Sequence, residues 1–166
     1  MIAIVNASPL IYLGKLGILD LLQQLFDKVI TVDTVKEEVL DTSESEYAIL
    51  KSAFSDWLFV SDVPESSLTS KLSDMGLHKG EIDALVLAYH TKIETDSVIV
   101  IDDLAARDVA RTLGLDLIGT VGIILSATKR GLLPKKESRA KIRFLVEETT
   151  FHMSTALYSR VLSELE

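Results

Sequence analysis

The sequence predicts an α/β fold built on a central parallel sheet of about five strands. Three observations carry this. Short apolar runs alternate with segments of helical periodicity along the chain, the pattern that lays helices over both faces of a parallel sheet. One run, Ser97-Val98-Ile99-Val100-Ile101, has four β-branched residues in succession and reads as a strand buried on both faces. The 166 residues, 48% of them hydrophobic, suffice for a full core in a single domain, 1–166, with no repeat, linker or low-complexity stretch to divide it.

Taken in order, Ile2–Asn6 is a short apolar strand. Ser8-Pro9 predicts a helix start, with Ser as N-cap and Pro at the first helical position. The helix Leu10–Lys15 follows and breaks near Gly14 and Gly17. Leu16–Phe26 carries leucines at helical spacing, and Lys28–Val32 is the second strand. Asp33 is placed to cap a helix reaching about Leu40. After the polar stretch Asp41–Glu46, a helix over Ser45–Trp57 has Ala48, Leu50, Phe54 and Trp57 as its apolar set. Leu58–Val63 is the third strand. Beyond the turn at Pro64, Ser66–Met75 is a helix stopped by Gly76. His78-Lys79-Gly80 leads into Glu81–Ile93, a long helix apolar on nearly every side. The strand ending at Asp102-Asp103 is the fourth. A helix over Leu104–Leu113 ends at Gly114, Leu115–Ile118 is a fifth strand, and Gly119-Thr120 opens a helix to about Lys129. Lys135–Glu148 and Thr155–Leu165 are the last two helices.

Composition narrows the chemistry. There is no cysteine, which excludes a disulfide scaffold, a thiolate nucleophile and cysteine-ligated zinc. No apolar stretch approaches the ~20 residues that span a bilayer, and the N-terminus lacks a signal-peptide pattern, so the expectation is a cytoplasmic protein without membrane contact. The net charge of −8 argues against a bulk nucleic-acid binder, whose affinity comes from neutralising phosphates. It leaves open an enzyme that reaches phosphate through a metal. Lys129, Arg130, Lys135, Lys136, Arg139, Lys141 and Arg143 cluster within fifteen residues and read first as a solvated helix face. There is no P-loop, no Gly-x-Gly-x-x-Gly after the first strand and no Gly-x-Ser-x-Gly elbow. His78, His90 and His152 have no metal spacing. A phosphoacceptor domain of the receiver type would want an acidic pair where Asn6-Ala7 stands.

The acidic residues fall where ligands of open α/β sheets bind, at the carboxyl ends of the strands. Asp102 and Asp103 end the fourth strand, where they can hold a divalent cation or cap the next helix. Glu37 and Glu38 lie in the helix after the second strand. Glu81 and Asp83 open the long helix, about 200° apart around its axis, so one belongs in the site and the other outside it. An aspartate in such apolar surroundings is costly unless paired or metal-bound, which favours Asp83; Glu81 equally suits the helix dipole. Oxygen donors from several segments favour a hard cation, Mg²⁺ or Mn²⁺, and metal-dependent phosphodiester hydrolysis. Arg107, one helical turn after Asp103, suits either an ion pair with it or contact with a phosphate.

Five segments then match a known family in order: Ile4-Val5-Asn6-Ala7-Ser8-Pro9-Leu10-Ile11-Tyr12-Leu13-Gly14-Lys15, Val35-Lys36-Glu37-Glu38-Val39, Lys79-Gly80-Glu81-Ile82-Asp83-Ala84-Leu85, Ile101-Asp102-Asp103-Leu104-Ala105-Ala106-Arg107 and Gly119-Thr120-Val121-Gly122-Ile123-Ile124. Over residues 2–132 the chain resembles the PIN-domain family, most closely the short prokaryotic subgroup related to VapC-type toxins. The resemblance implies a three-layer α/β/α sandwich and a site holding Mg²⁺ or Mn²⁺. It also implies ribonuclease activity on RNA, a homodimer and a small antitoxin partner in a toxin–antitoxin pair. Carried over, the acidic positions fall on Asn6, on Glu38 with Glu37 as its neighbour, on Asp83 and on Asp102 or Asp103. Ser8, Glu81, Arg107 and Thr120 are accessory candidates. Family members usually carry Asp where this chain has Asn6. An amide oxygen still ligates Mg²⁺ but brings no charge, so a weakened binding module is the alternative to a working nuclease.

Overall fold

The computed structural model describes residues 1–166. Five strands, β1 (Ile2–Val5), β2 (Lys28–Thr31), β3 (Leu58–Val60), β4 (Ser97–Val100) and β5 (Leu117–Ile118), form one sheet in the order β3-β2-β1-β4-β5. Every neighbouring pair is parallel, with Val5 opposite Val100 and Val100 opposite Ile118. The helices are α1 (Ala7–Lys15), α2 (Leu21–Leu25), α3 (Asp33–Val39), α4 (Tyr47–Asp56), α5 (Ser67–Ser73), α6 (Lys79–Glu94), α7 (Leu104–Thr112), α8 (Thr120–Lys129), α9 (Lys135–Glu148) and α10 (Thr155–Glu164). The architecture is the expected α/β/α sandwich around a parallel five-stranded sheet.

Two compact units are distinguished, Met1–Thr120 and Val121–Glu166. In the first, the chain moves from β1 outward to β3, returns past β1 to β4 and continues to β5. By the right-handed rule for crossovers between parallel strands, the helices of these opposite movements are expected on opposite faces. α1 packs on α3 and α4, while α6 packs on α5, α7 and the strands β1 and β4 and also meets α3. The central strands are dry: Ala3, Ile4, Val5, Val100 and Ile101 are fully buried, with Leu10, Leu13, Leu22, Leu50 and Leu85 packed around them. Burial of such side chains stabilises by about 1.5–3 kcal/mol each.

In the second unit, Thr128 Oγ1 and Ser138 Oγ share a 2.6 Å hydrogen bond between α8 and α9. Tyr158 of α10 donates to Glu147 of α9 at 2.8 Å. Much of the basic run is tied down within this unit. Arg139 pairs with Glu166 at 3.4 Å and Lys141 approaches Glu137 at 3.8 Å, while Lys135 Nζ reaches the Glu166 carbonyl at 3.3 Å.

Several boundaries differ from expectation. Asn6, not Ser8, is the N-cap of α1, and Ser8-Pro9 lie inside the first turn. Proline fits there because the first-turn N–H groups have no intrahelical acceptor. Val32 caps α3, and Asp33 is its first helical residue, favourably placed against the helix dipole. Within Leu16–Phe26 only Leu21–Leu25 is helical: Gly17 takes a left-handed φ of 69°, and the leucines reach the core from a turn. β3 stops at Val60 and β5 starts at Leu117, both being short edge strands with one neighbour to pair with. No helix is long and apolar enough to cross a membrane.

Candidate active site

The order of the strands reverses between β1 and β4: β1 leads outward to β2, and β4 leads the other way to β5. The crevice beyond the carboxyl ends of such a pair is where open α/β sheets bind ligands. The sheet register places Asn6 and Asp102 at its two lips. Asn6 follows Val5, and its N–H donates to the Val100 carbonyl at 3.0 Å. Asp102 lies one residue further along the neighbouring strand line, past Ile101.

Asn6 is 4% exposed, and its Oδ1 is buried with no hydrogen-bond partner. It caps α1 by backbone geometry alone, without a side-chain bond to the helix. A buried carbonyl oxygen left without a donor costs about 1–3 kcal/mol, a cost that a bound water, donor or cation would relieve.

Asp102 is held from β5's side of the sheet. Thr120, opposite it in register at the start of α8, donates its N–H to Oδ1 at 2.7 Å and its hydroxyl to Oδ2 at 2.6 Å. Burial pushes the Asp102 carboxyl above the ordinary carboxylate range, while the Thr120 bonds and Arg107 pull the other way. Gly119 makes the close approach possible: a Cβ there would sit 2.9 Å from Asp102 Oδ1 and 3.0 Å from Arg107 Nη1.

Asp103 faces solvent and is the N-cap of α7, accepting from the Ala106 N–H at 2.8 Å. Of the two uses foreseen for the aspartate pair, capping falls to Asp103, and Asp102 turns toward Thr120. Arg107 does not form the anticipated ion pair with Asp103. Its Nη1 donates to the Ile101 carbonyl at 2.8 Å, because the α7 turn aims the guanidinium back toward the end of β4. Burial and Arg111 lower its proton affinity, and the fields of Asp102 and Asp108 oppose them.

α3 and α6 bring the remaining carboxylates. Asp83 Oδ2 accepts from Thr34 Oγ1 at 2.8 Å. Glu38, rather than Glu37, faces α6, with Oε2 3.5 Å from the position a Cβ on Gly80 would take. Glu81 accepts from the His78 N–H at 2.9 Å, and its carboxyl is raised chiefly by burial, then by the charges of Asp103 and Glu38. The Glu81 side chain thus folds back over the start of α6, the helix-start use open to it, while the charges of Asp103 and Glu38 reach its carboxyl. Ser8 lies half-buried in the first turn of α1.

The side chains are thus arranged as pairs, Asp102 with Thr120 and Asp83 with Thr34, alongside a loose acidic group of Glu38, Glu81 and Asp103. No three Asp, Glu or His side chains converge to metal-holding distance. The donor set nevertheless suits a hard divalent cation: every candidate donor is an oxygen, and one of them, Asn6 Oδ1, is buried without a partner. Thr34 and Gly119 were not singled out from sequence. Thr34 stands four residues before Glu38, on the same helical face, and that spacing was the available signal.

A family profile described as the PIN domain matches residues 2–166, nearly the whole chain. The protein belongs to the PIN-domain family, whose members are typically nucleases and generally use divalent metal ions. No curated protein and no solved structure matched in the corresponding comparisons.

Proposed function

We propose that this protein is a metal-dependent ribonuclease of the VapC-related subgroup, acting in the cytoplasm as the toxin of a toxin–antitoxin pair. The observation that carries the reading is a partnerless buried oxygen, Asn6 Oδ1, at the end of β1, with the Thr120-bound carboxylate of Asp102 past the end of the neighbouring β4, at the switch point of a PIN-family sheet. Asn6, Glu38, Asp83 and Asp102 would hold Mg²⁺ or Mn²⁺, with Asp103 and Glu81 adding negative charge at the mouth. When bound, such a cation supplies Lewis acidity for phosphodiester hydrolysis. The protein's own groups do the positioning: Thr120 locks both oxygens of Asp102, and the Arg107 guanidinium stands behind that carboxylate. The partners on this reading are RNA, a small antitoxin protein and a second copy of the chain.

The second reading is a PIN-fold module that binds RNA or protein with weakened catalysis. Asn6 favours it, since an amide brings no charge to offset the cation. Incubating the full chain with structured and unstructured RNA, in Mn²⁺ and in EDTA, separates the two. The nuclease reading expects cleavage that needs Mn²⁺ and is lost in the Asp102→Ala/Asp103→Ala double variant. Cleavage that persists in EDTA or in that variant overturns it, and RNA retention without cleavage supports the module.

A further inference from the structure

Thr34 has no part in the site read from sequence, yet it makes the side-chain hydrogen bond that links α3 to Asp83. Its hydroxyl donates to Asp83 Oδ2 at 2.8 Å across a separation of 49 residues. Asp83 sits half-buried in the second turn of α6. Thr34 and Glu38 lie four residues apart, on one face of α3. That face meets α6 at Gly80, where a Cβ would stand 3.3 Å from Val35 Cγ2 and 3.5 Å from Glu38 Oε2. Gly80 does not have a positive φ, so its value is the close approach of the two helices and not a special backbone shape.

We propose that Thr34 is a positioning residue of the metal centre, fixing the orientation of Asp83 while the Gly80 seam sets the distance from Asp83 to Glu38. The inference rests on the metal-centre reading of the site. A hydroxyl that donates to one carboxylate oxygen removes a rotational freedom the cation would otherwise have to overcome, and it holds the ligand ready in the metal-free protein. Losing an outer partner of this kind typically weakens metal affinity about 10–100-fold.

The test is Mn²⁺ binding by calorimetry on the full chain, with RNA cleavage as a second readout. Thr34→Val keeps the shape and removes the hydroxyl; Thr34→Ser keeps the hydroxyl. The expected result is about tenfold weaker Mn²⁺ binding for Thr34→Val, recovered in Thr34→Ser. The Mn²⁺ needed for half-maximal cleavage should rise by the same factor, with the KM for RNA unchanged. In an Asp83→Asn background, Thr34→Val should add little, because the two changes act on one interaction. Wild-type Mn²⁺ binding in Thr34→Val, no recovery in Thr34→Ser, or fully additive losses would each overturn the proposal. Should Thr34→Val not fold, Gly80→Ala replaces it, and undiminished Mn²⁺ binding there overturns the role of the seam. A wild type that binds no Mn²⁺ defeats the metal-centre reading itself, a failure distinct from a wild type that binds and a Thr34→Val variant that binds equally well.

Discussion

Asp27, Asp96 and Asp116 each stand immediately before a strand, at the edge of the sheet where strands begin; Asp102 and Asp103 follow a strand, at the edge where strands end. At the first edge the backbones extend the ladder: the Asp96 and Asp116 carbonyls accept from Ile2 and Ile99, both at 2.9 Å. The side chains are all exposed. Asp27 pairs with the N-terminal ammonium of Met1, which holds its carboxyl below the ordinary range. At the second edge Asp102 is largely buried, bound through both oxygens and pushed above that range. One residue type is ordinary surface at the first edge, while at the second it faces solvent as Asp103 and is costly as Asp102. The cost is what distinguishes a site from a solvated loop.

The sharpest way to break this contrast is to remove one aspartate from each edge. Asp102→Ala should lower Mn²⁺-dependent RNA cleavage by more than about 100-fold, beyond the loss typical of an outer partner. Asp96→Asn should leave the rate within about twofold, as surface changes do. Initial rates on one RNA at saturating Mn²⁺ compare them directly, and equal losses would erase the distinction between the edges.

A smaller effect is expected at Asn6. Asn6→Asp puts a charge on the buried, partnerless oxygen. Metal binding should tighten about tenfold, worth ~1.4 kcal/mol, while the metal-free protein loses ~2 kcal/mol to desolvation, a fall in Tm of about 4–8 °C. Thermal melts with and without Mn²⁺, beside calorimetric titration, measure both. A variant that gains affinity at no cost to metal-free stability would mean that the Asn6 pocket is not dry.

The smallest effect is a difference in pH dependence. Asp102 has a folded-state pKa above its ordinary 3.8, so between those two values the folded protein binds more protons than the unfolded chain. This group's contribution therefore falls as pH rises through that window. Asp27 has the opposite sign: its folded pKa lies below 3.8, so its contribution is present above that value and is lost as pH falls. Asp102→Asn should make the metal-free protein more stable than wild type at neutral pH, with the two curves meeting in acid. Urea melts from pH 3 to pH 7 without metal test this, and a gap that does not narrow toward low pH would refute the burial argument.

Much of the sheet was legible because buried parallel strands need near-continuous apolar runs, and Val98–Ile101 has no other reading of comparable economy. Asp102 and Asp103 were legible as a pair for the same reason, since charges ending such a run are conspicuous. The division of labour between them was not. It depends on Thr120 arriving opposite Asp102 by strand register, which a linear sequence does not display. The same holds for Thr34, whose partner Asp83 is distant in sequence and close only after α3 and α6 meet. Helix starts were misplaced where Ser8-Pro9 and Asp33 offered good caps and the backbone turned one or two residues earlier, at Asn6 and Val32. In both cases the strand before the helix ends abruptly, and the last extended residue becomes the cap.

Six of the eight glycines divide by what they answer to. Gly17, Gly76, Gly114 and Gly131 hold positive φ values between 67° and 75°, so replacing them strains a turn, and the damage is felt as folding. Gly80 and Gly119 have no such conformation, and what a methyl group would meet there is Val35 and Glu38 in one case, Asp102 and Arg107 in the other. In a saturation-mutagenesis map the first set would register as abundance and the second as activity among well-folded molecules. Two residues without side chains would thereby outline the site from the outside, by the space they keep empty for the side chains of others.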